Sequence, residues 1–157
     1  MDTKKILGGV LAALIVTPLV IQLVPYGRDH TNPPVTQAAV FKSATARQLV
    51  ADSCNDCHSN LTTWPWYTNV APASWLVTND VEEGRSTMNL STWDEPQPEL
   101  DEVVEAVESG EMPPLKYKVA PNHANARLSD EEKAALIAGF RQVYADQPPS
   151  IRQGEGD

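Results

Sequence analysis

The chain has 157 residues, enough for one domain with its own core. Its formal charge of −9 excludes non-specific nucleic-acid binding, and an acidic surface favours steering towards basic partners instead. Thirteen prolines predict a loop-rich fold, and no phosphate loop, catalytic triad, dinucleotide fingerprint or internal repeat points to an enzyme.

The N-terminus comes first in the chain and sets the compartment. Ile6 to Val24 carries no charge, and it reaches the roughly 20 residues that cross a bilayer as a helix. Lys4 and Lys5 precede it, so the positive-inside rule keeps that end cytoplasmic. Everything beyond is then exported. Gly8, Gly9 and Pro18 are tolerated in a membrane helix. The run is long for a signal-peptide core and no Ala-x-Ala site closes it, so an uncleaved anchor over residues 1–24 is expected. Setting aside Lys4, Lys5 and Asp2 leaves −10 on the exported part.

Residues 25–42 open with Pro25 to Pro34 and read as a linker just outside the membrane. His30 lies in it and reads as solvated, because no rigid element is predicted to hold it. A globular domain is expected over 43–147. Its first helix runs from near Ser43, with Leu49, Val50, Cys54 and Cys57 on one face.

Cys54-Asn55-Asp56-Cys57-His58 then follows, and it is the attachment pattern of covalent c-type haem. Residues three apart share a helical face, so both thiols can form thioethers along one edge of a porphyrin. His58 can then offer a ring nitrogen to the iron. Two other readings are weaker. Zinc wants about four ligands, and the chain has only these two cysteines, with His30 and His123 far away in sequence. A redox dithiol needs a βαβ setting that is not visible here. The remaining ring nitrogen of His58 should donate to a backbone carbonyl; the chain after Pro65 or Pro72 can fold back over this side, and Pro72 is the favoured segment.

Ser59 to Tyr67 reads as an irregular aromatic loop. Pro72 opens a second helix that Glu82-Glu83-Gly84 ends. Asn89 to Glu99 is loop around Trp93. Pro98 starts a third helix through Leu100, Val103, Val104 and Val107, with Gly110 as its left-handed cap. Met112 to Asn125 is a proline-containing loop. Ser129 and Glu132 form a capping box for the last helix, striped by Leu136, Ile137, Phe140 and Tyr144. Pro148-Pro149 stops it, and 148–157 is expected to be a disordered tail.

With these pieces placed, the chain resembles the single-haem c-type cytochromes. It is closest to the bacterial haem-binding-domain family of membrane-anchored periplasmic proteins. The residues that carry the resemblance are Cys54-x-x-Cys57-His58-Ser59-Asn60, Trp64-Pro65-Trp66-Tyr67, Ala71-Pro72-x-Ser74-Trp75, Glu83-Gly84-Arg85, Asn89-x-Ser91-x-Trp93 and Met112-Pro113-Pro114. They lie within residues 44–146. Where the family often has a histidine before Val81, this chain has Asp80. The resemblance implies an all-α, cytochrome c-like fold around one covalent haem c, preceded by one transmembrane helix.

The implied role is one-electron transfer by a carrier or a subunit of a respiratory or photosynthetic complex, in the inner membrane with the haem domain periplasmic. The alternative is a haem-based sensor or catalytic unit with an open sixth position. For that position Met112 is the expected ligand, because two prolines stiffen its loop and His/Met ligation is an established c-type option. His123 and Met88 are the alternatives. Tyr67 and Arg85 are candidates to meet the haem propionates, Arg85 through its fork geometry. The four tryptophans, Trp66 included, are expected either to pack or to donate indole N–H groups to the propionates.

Overall fold

A computed structural model describes residues 2–121 and 123–152. Among the described residues the fold is all-helical, with two isolated β-bridges and no strand. The helices are α1 (Thr3–Ile21), α2 (Ala44–Ser53), α3 (Asn55–His58), α4 (Ala73–Thr87), α5 (Leu100–Glu108), α6 (Leu115–Val119) and α7 (Asp130–Asp146). Short 3₁₀ turns cover Trp66–Asn69 and Ala124–Ala126.

The chain divides into two compact units. The first joins residues 1–31 to 64–80. Its long element, α1, buries none of its residues and is long and apolar enough to cross a membrane. Residues 25–31 were expected to be part of a linker, yet they are built into this unit. Gly27, at φ +78, sits where a Cβ would lie 2.4 Å from the Ser74 carbonyl oxygen. The His30 ring stacks on Trp64 at 4.6 Å and 10°, with Nε2 3.1 Å from the Thr68 carbonyl. His30 is therefore not a solvated linker residue: an aromatic face and a carbonyl hold it.

The second unit comprises residues 32–63 and 81–157 and contains the main core. Phe41, Ala46, Leu49, Val50, Met88, Leu90, Trp93, Val103, Val104, Val107, Leu136, Ile137, Phe140 and Val143 form one buried cluster. These apolar positions come from α2, α5, α7 and the two loops before α2 and α5. α7 packs on both α2 and α5. Gly139 permits the first of these contacts, because a Cβ there would meet the Ala46 Cβ at 2.6 Å. Residues 32–42 also leave the linker expectation behind. Phe41 meets Phe140 edge to face at 5.3 Å, and Ala39 N–H donates to the Leu90 carbonyl at 2.8 Å.

Local signals account for several helix ends. Ser43 caps α2 by accepting from the Ala46 N–H. Ser129 and Glu132 form the capping box of α7. Gly110 takes a left-handed φ of +76 just beyond α5. Three features differ from expectation. α4 does not stop at Gly84 but runs to Thr87; the glycine is an interior packing position. α5 starts at Leu100 rather than at Pro98, with Glu99 extended before it. The 112–125 loop contains α6 and a 3₁₀ turn. In the stretch expected to be a disordered tail, Ile151 pairs with Gln97, and the Gln97 N–H donates to the Ser150 carbonyl at 2.8 Å. Residues 153–157 of that stretch lie outside the described residues.

Candidate functional site

The site grows from the junction of α2 and α3. Cys54 ends α2 and begins α3, so Cys54, Cys57 and His58 occupy one short turn. The Cys57 and His58 N–H groups both donate to the Cys54 carbonyl, at 3.2 and 2.9 Å. Cys54 packs against the core cluster, which fixes one edge of the motif. The two cysteines are thiols, not a disulfide. Burial, with Cys57 beside it, pushes the Cys54 thiol up to about 12. A redox dithiol works through an accessible, low-pKa thiolate, so this environment opposes that reading. Among the described residues no cluster of three His, Cys, Asp or Glu side chains could hold a metal ion, which also opposes zinc.

His58 is held from α4. Its Nδ1 lies 2.9 Å from the Gly84 carbonyl and 3.2 Å from the Met88 carbonyl. Both partners are acceptors, so Nδ1 carries the proton and Nε2 keeps its lone pair. Burial lowers the His58 pKa, against the opposing pull of those two carbonyls, and a neutral imidazole is the form that ligates a metal. The expected carbonyl from Pro72 is replaced by two others, from Gly84 in the last turn of α4 and from Met88 just beyond it. The physical reason is the close approach of α4 at Gly84, where a Cβ would lie 2.6 Å from the Cys57 carbonyl oxygen and 3.0 Å from its Cβ. Only glycine lets the helix backbone come that near.

The segment after His58 is woven into the 89–91 loop. Leu90 N–H donates to the His58 carbonyl at 2.8 Å. Asn60 N–H donates to Ser91 Oγ at 2.9 Å, and Asn89 Nδ2 donates to Asn60 Oδ1 at 3.0 Å. Ser91 N–H donates in turn to Asn89 Oδ1. Sequence reasoning gave no role to Asn60, Asn89 or Ser91. Their signal was available: short polar residues sit directly after the motif and again in a loop with no helical period.

Arg85 belongs to this brace. Its Nε donates to the Ser59 carbonyl, and its Nη2 donates to Asn32 Oδ1 and Thr62 Oγ1, each at 2.8 Å. Three of its five N–H donors are thus committed to protein. Each of the other expected residues has its own setting. Met112 is half-buried, and its N–H donates to the Ala106 carbonyl. His123 is half-buried and meets Tyr117 edge to face at 5.1 Å. The Met88 side chain is a core filler, 7 % exposed. Tyr67 meets Trp66 edge to face, and Trp66 is 79 % exposed. Trp93 packs instead, 2 % exposed, with Nε1 donating to the Gln147 carbonyl. Trp75 Nε1 is buried with no hydrogen-bond partner.

The haem-binding domain family matches residues 16–142, most of the chain. This protein belongs to the haem-binding domain family. No curated protein and no solved structure matches it. The residues of this haem-binding domain suit the group. His58 presents Nε2 with its tautomer fixed, Cys54 and Cys57 precede it on the same turn, and Gly84 lets α4 approach that turn. Haem would supply an iron centre, and Cys54, Cys57 and His58 are the residues that would hold it.

Proposed function

We propose that this protein is a membrane-anchored monohaem c-type cytochrome that transfers single electrons. In this reading Cys54 and Cys57 would hold the haem through two thioethers, each S–H adding across a vinyl group with no oxidant needed. His58 Nε2 is the proximal ligand. α1 is the anchor with its N-terminus cytoplasmic, and the haem domain is periplasmic. The redox partner is basic, free or within a respiratory or photosynthetic complex.

The observation that carries the reading is the His58 ring, with Nδ1 aimed at two carbonyls in the same turn as two thiols. A structural histidine has no need to sit beside two thiols at this spacing. Two carbonyl acceptors also raise imidazole basicity and fix its rotation, as outer-shell partners of metal-bound histidines do.

Met112 is the sixth ligand we favour. Met88 is committed to the core, whereas Met112 lies in the loop between α5 and α6 with Pro113-Pro114 after it. A thioether opposite His58 would raise the potential relative to two histidines.

The test begins with acid–organic extraction of the matured protein, which should leave the haem on the chain; free extraction overturns the covalent reading. The oxidised protein should then show the weak red sulfur-to-iron band, lost in Met112→Ala and kept in His123→Ala. A band that survives Met112→Ala removes Met112 as ligand. Rapid stoichiometric CO binding by the ferrous protein at neutral pH would replace the carrier with a sensor.

A further inference from the structure

Within the first unit, the chain leaving α1 is stitched to residues 64–74. Gln22 caps α1 and treats Ala71 as a strand partner would. Its Nε2 donates to the Ala71 carbonyl at 2.9 Å and its Oε1 accepts from the Ala71 N–H at 3.0 Å. The second Nε2 proton goes to the Pro18 carbonyl, inside the last turn of α1. Gly27 is pressed on Ser74, Arg28 closes the turn onto the Gln22 carbonyl, and His30 stacks on Trp64. Residues 64–74 are therefore held at the level where α1 ends.

This stitched segment has an unusual surface. From Trp64 to Asn79 there is no charged residue, in a chain that is 21 % charged. It nevertheless exposes large apolar side chains: Trp66 is 79 % exposed, Val70 45 % and Leu76 49 %. On the chain leaving α1, Leu23 is 81 % exposed and Tyr26 43 %. A soluble surface rarely gathers such residues without a partner. Trp and Tyr concentrate at the headgroup level, where an amphipathic ring has one wet and one apolar side.

We propose that residues 64–76 lie in the headgroup layer of the bilayer at the end of α1, with Trp66 as an interfacial anchor. This rests on α1 spanning that bilayer. Continuity with α1 through Gln22 and Gly27 selects lipid as the occupant, because a surface fixed at the exit of a membrane helix meets lipid first. The absence of charge fits the same place: a protein of formal charge −9 would be repelled by anionic headgroups elsewhere. The segment is thus a second membrane contact, which limits how the exported chain tilts about α1.

The test uses the full haem-loaded chain in phosphatidylcholine nanodiscs. One set carries lipids brominated near the headgroup, one carries lipids brominated near the acyl ends, and one is unbrominated. Tryptophan emission is expressed as the ratio of brominated to unbrominated discs, which cancels quenching by the haem. The expected result is a loss of emission, larger with shallow bromines, that is markedly smaller in Trp66→Phe. Gln22→Ala keeps every tryptophan but removes both bonds to Ala71, and it should weaken the loss. No loss in the wild type, or the same loss in Trp66→Phe, overturns the proposal while leaving the anchor intact. Failure of the chain to enter nanodiscs would overturn the anchor reading itself.

Discussion

Gly84 is the residue on which the site most depends. A Cβ there would lie 2.6 Å from the Cys57 carbonyl oxygen, a backbone atom within the motif that must itself stay in place. Neither side can yield cheaply, so Gly84→Ala should cost about 1–3 kcal/mol, as overpacking of a fixed site does. It should also lower the fraction of chains that mature with haem, because the strain is relieved only by moving Cys57 or the carbonyl that orients His58. Gly110→Ala is the control. Its φ of +76 is strained for alanine, but the nearest atoms to a Cβ are lysine Nζ groups at 3.6 Å. It should lose about 1–2 kcal/mol with haem content unchanged. Urea unfolding and absorbance per chain check both, and equal haem content in the two variants would contradict the role given to Gly84. Arg85 makes a second case. Arg85→Met removes three hydrogen bonds that tie Ser59 and Thr62 to Asn32 and should destabilise by about 2–3 kcal/mol. Lysine should rescue little, since a point charge cannot span the three acceptors. A shifted reduction potential without loss of stability would return Arg85 to a haem propionate.

The helices show which parts of the fold could be read in advance. Ser43, Ser129 with Glu132, and Gly110 act locally, through a side chain or a φ angle within a few residues. These ends fell where the sequence placed them. Gly84 was misread because a glycine in a helical run signals a stop as readily as a close approach; only the position of Cys57 distinguishes the two. The linker expectation for 25–42 failed for a similar reason. Prolines mark irregular backbone, but they do not reveal that Phe41 finds Phe140, or that Gly27 finds Ser74. The turn that brings Cys54, Cys57 and His58 together was legible because it lies within five consecutive residues. The carbonyls that orient His58 were not, because they arrive from 26 and 30 residues away. α7 provides a pH prediction. Tyr144 donates to the Pro98 carbonyl at 2.8 Å, tying α7 to the approach of α5, and burial with Glu102 nearby pushes its pKa up to about 12. The folded state therefore favours the neutral phenol. Its contribution is fully present below the ordinary value of 10.0 and is lost as pH rises through about 12. Urea midpoints measured across that range should fall more steeply in the wild type than in Tyr144→Phe. Parallel slopes would show that the phenol is not held this way.

Over the whole molecule, charge is distributed unevenly. Residues 64–79 carry none, while Glu99, Asp101, Glu102, Glu105, Glu108 and Glu111 crowd in and around α5, and all six are exposed. Part of this placement stabilises the fold, since Asp101 and Glu102 lie in the first turn of α5 and complement its dipole. Glu108 and Glu111 do the opposite, standing at the end where the dipole is already negative. Gly110 caps that end, with its carbonyl accepting from Lys118 Nζ. Carboxylates that oppose the dipole do not help the helix, and steering of a basic partner is the role we propose for them. For a one-electron carrier with a basic partner, the field should speed encounter at low salt and fade over a Debye length of ~8–10 Å near physiological ionic strength. Electron-transfer rates with a basic partner should therefore fall as salt rises. Replacing Glu105, Glu108 and Glu111 by Gln should flatten that dependence and leave the haem spectrum unchanged, because none of the three supports the His58 brace. Stopped-flow measurement over a salt series separates the outcomes. A rate independent of salt in the wild type removes the acidic docking face. A salt dependence that persists unchanged in the triple variant moves that face away from α5.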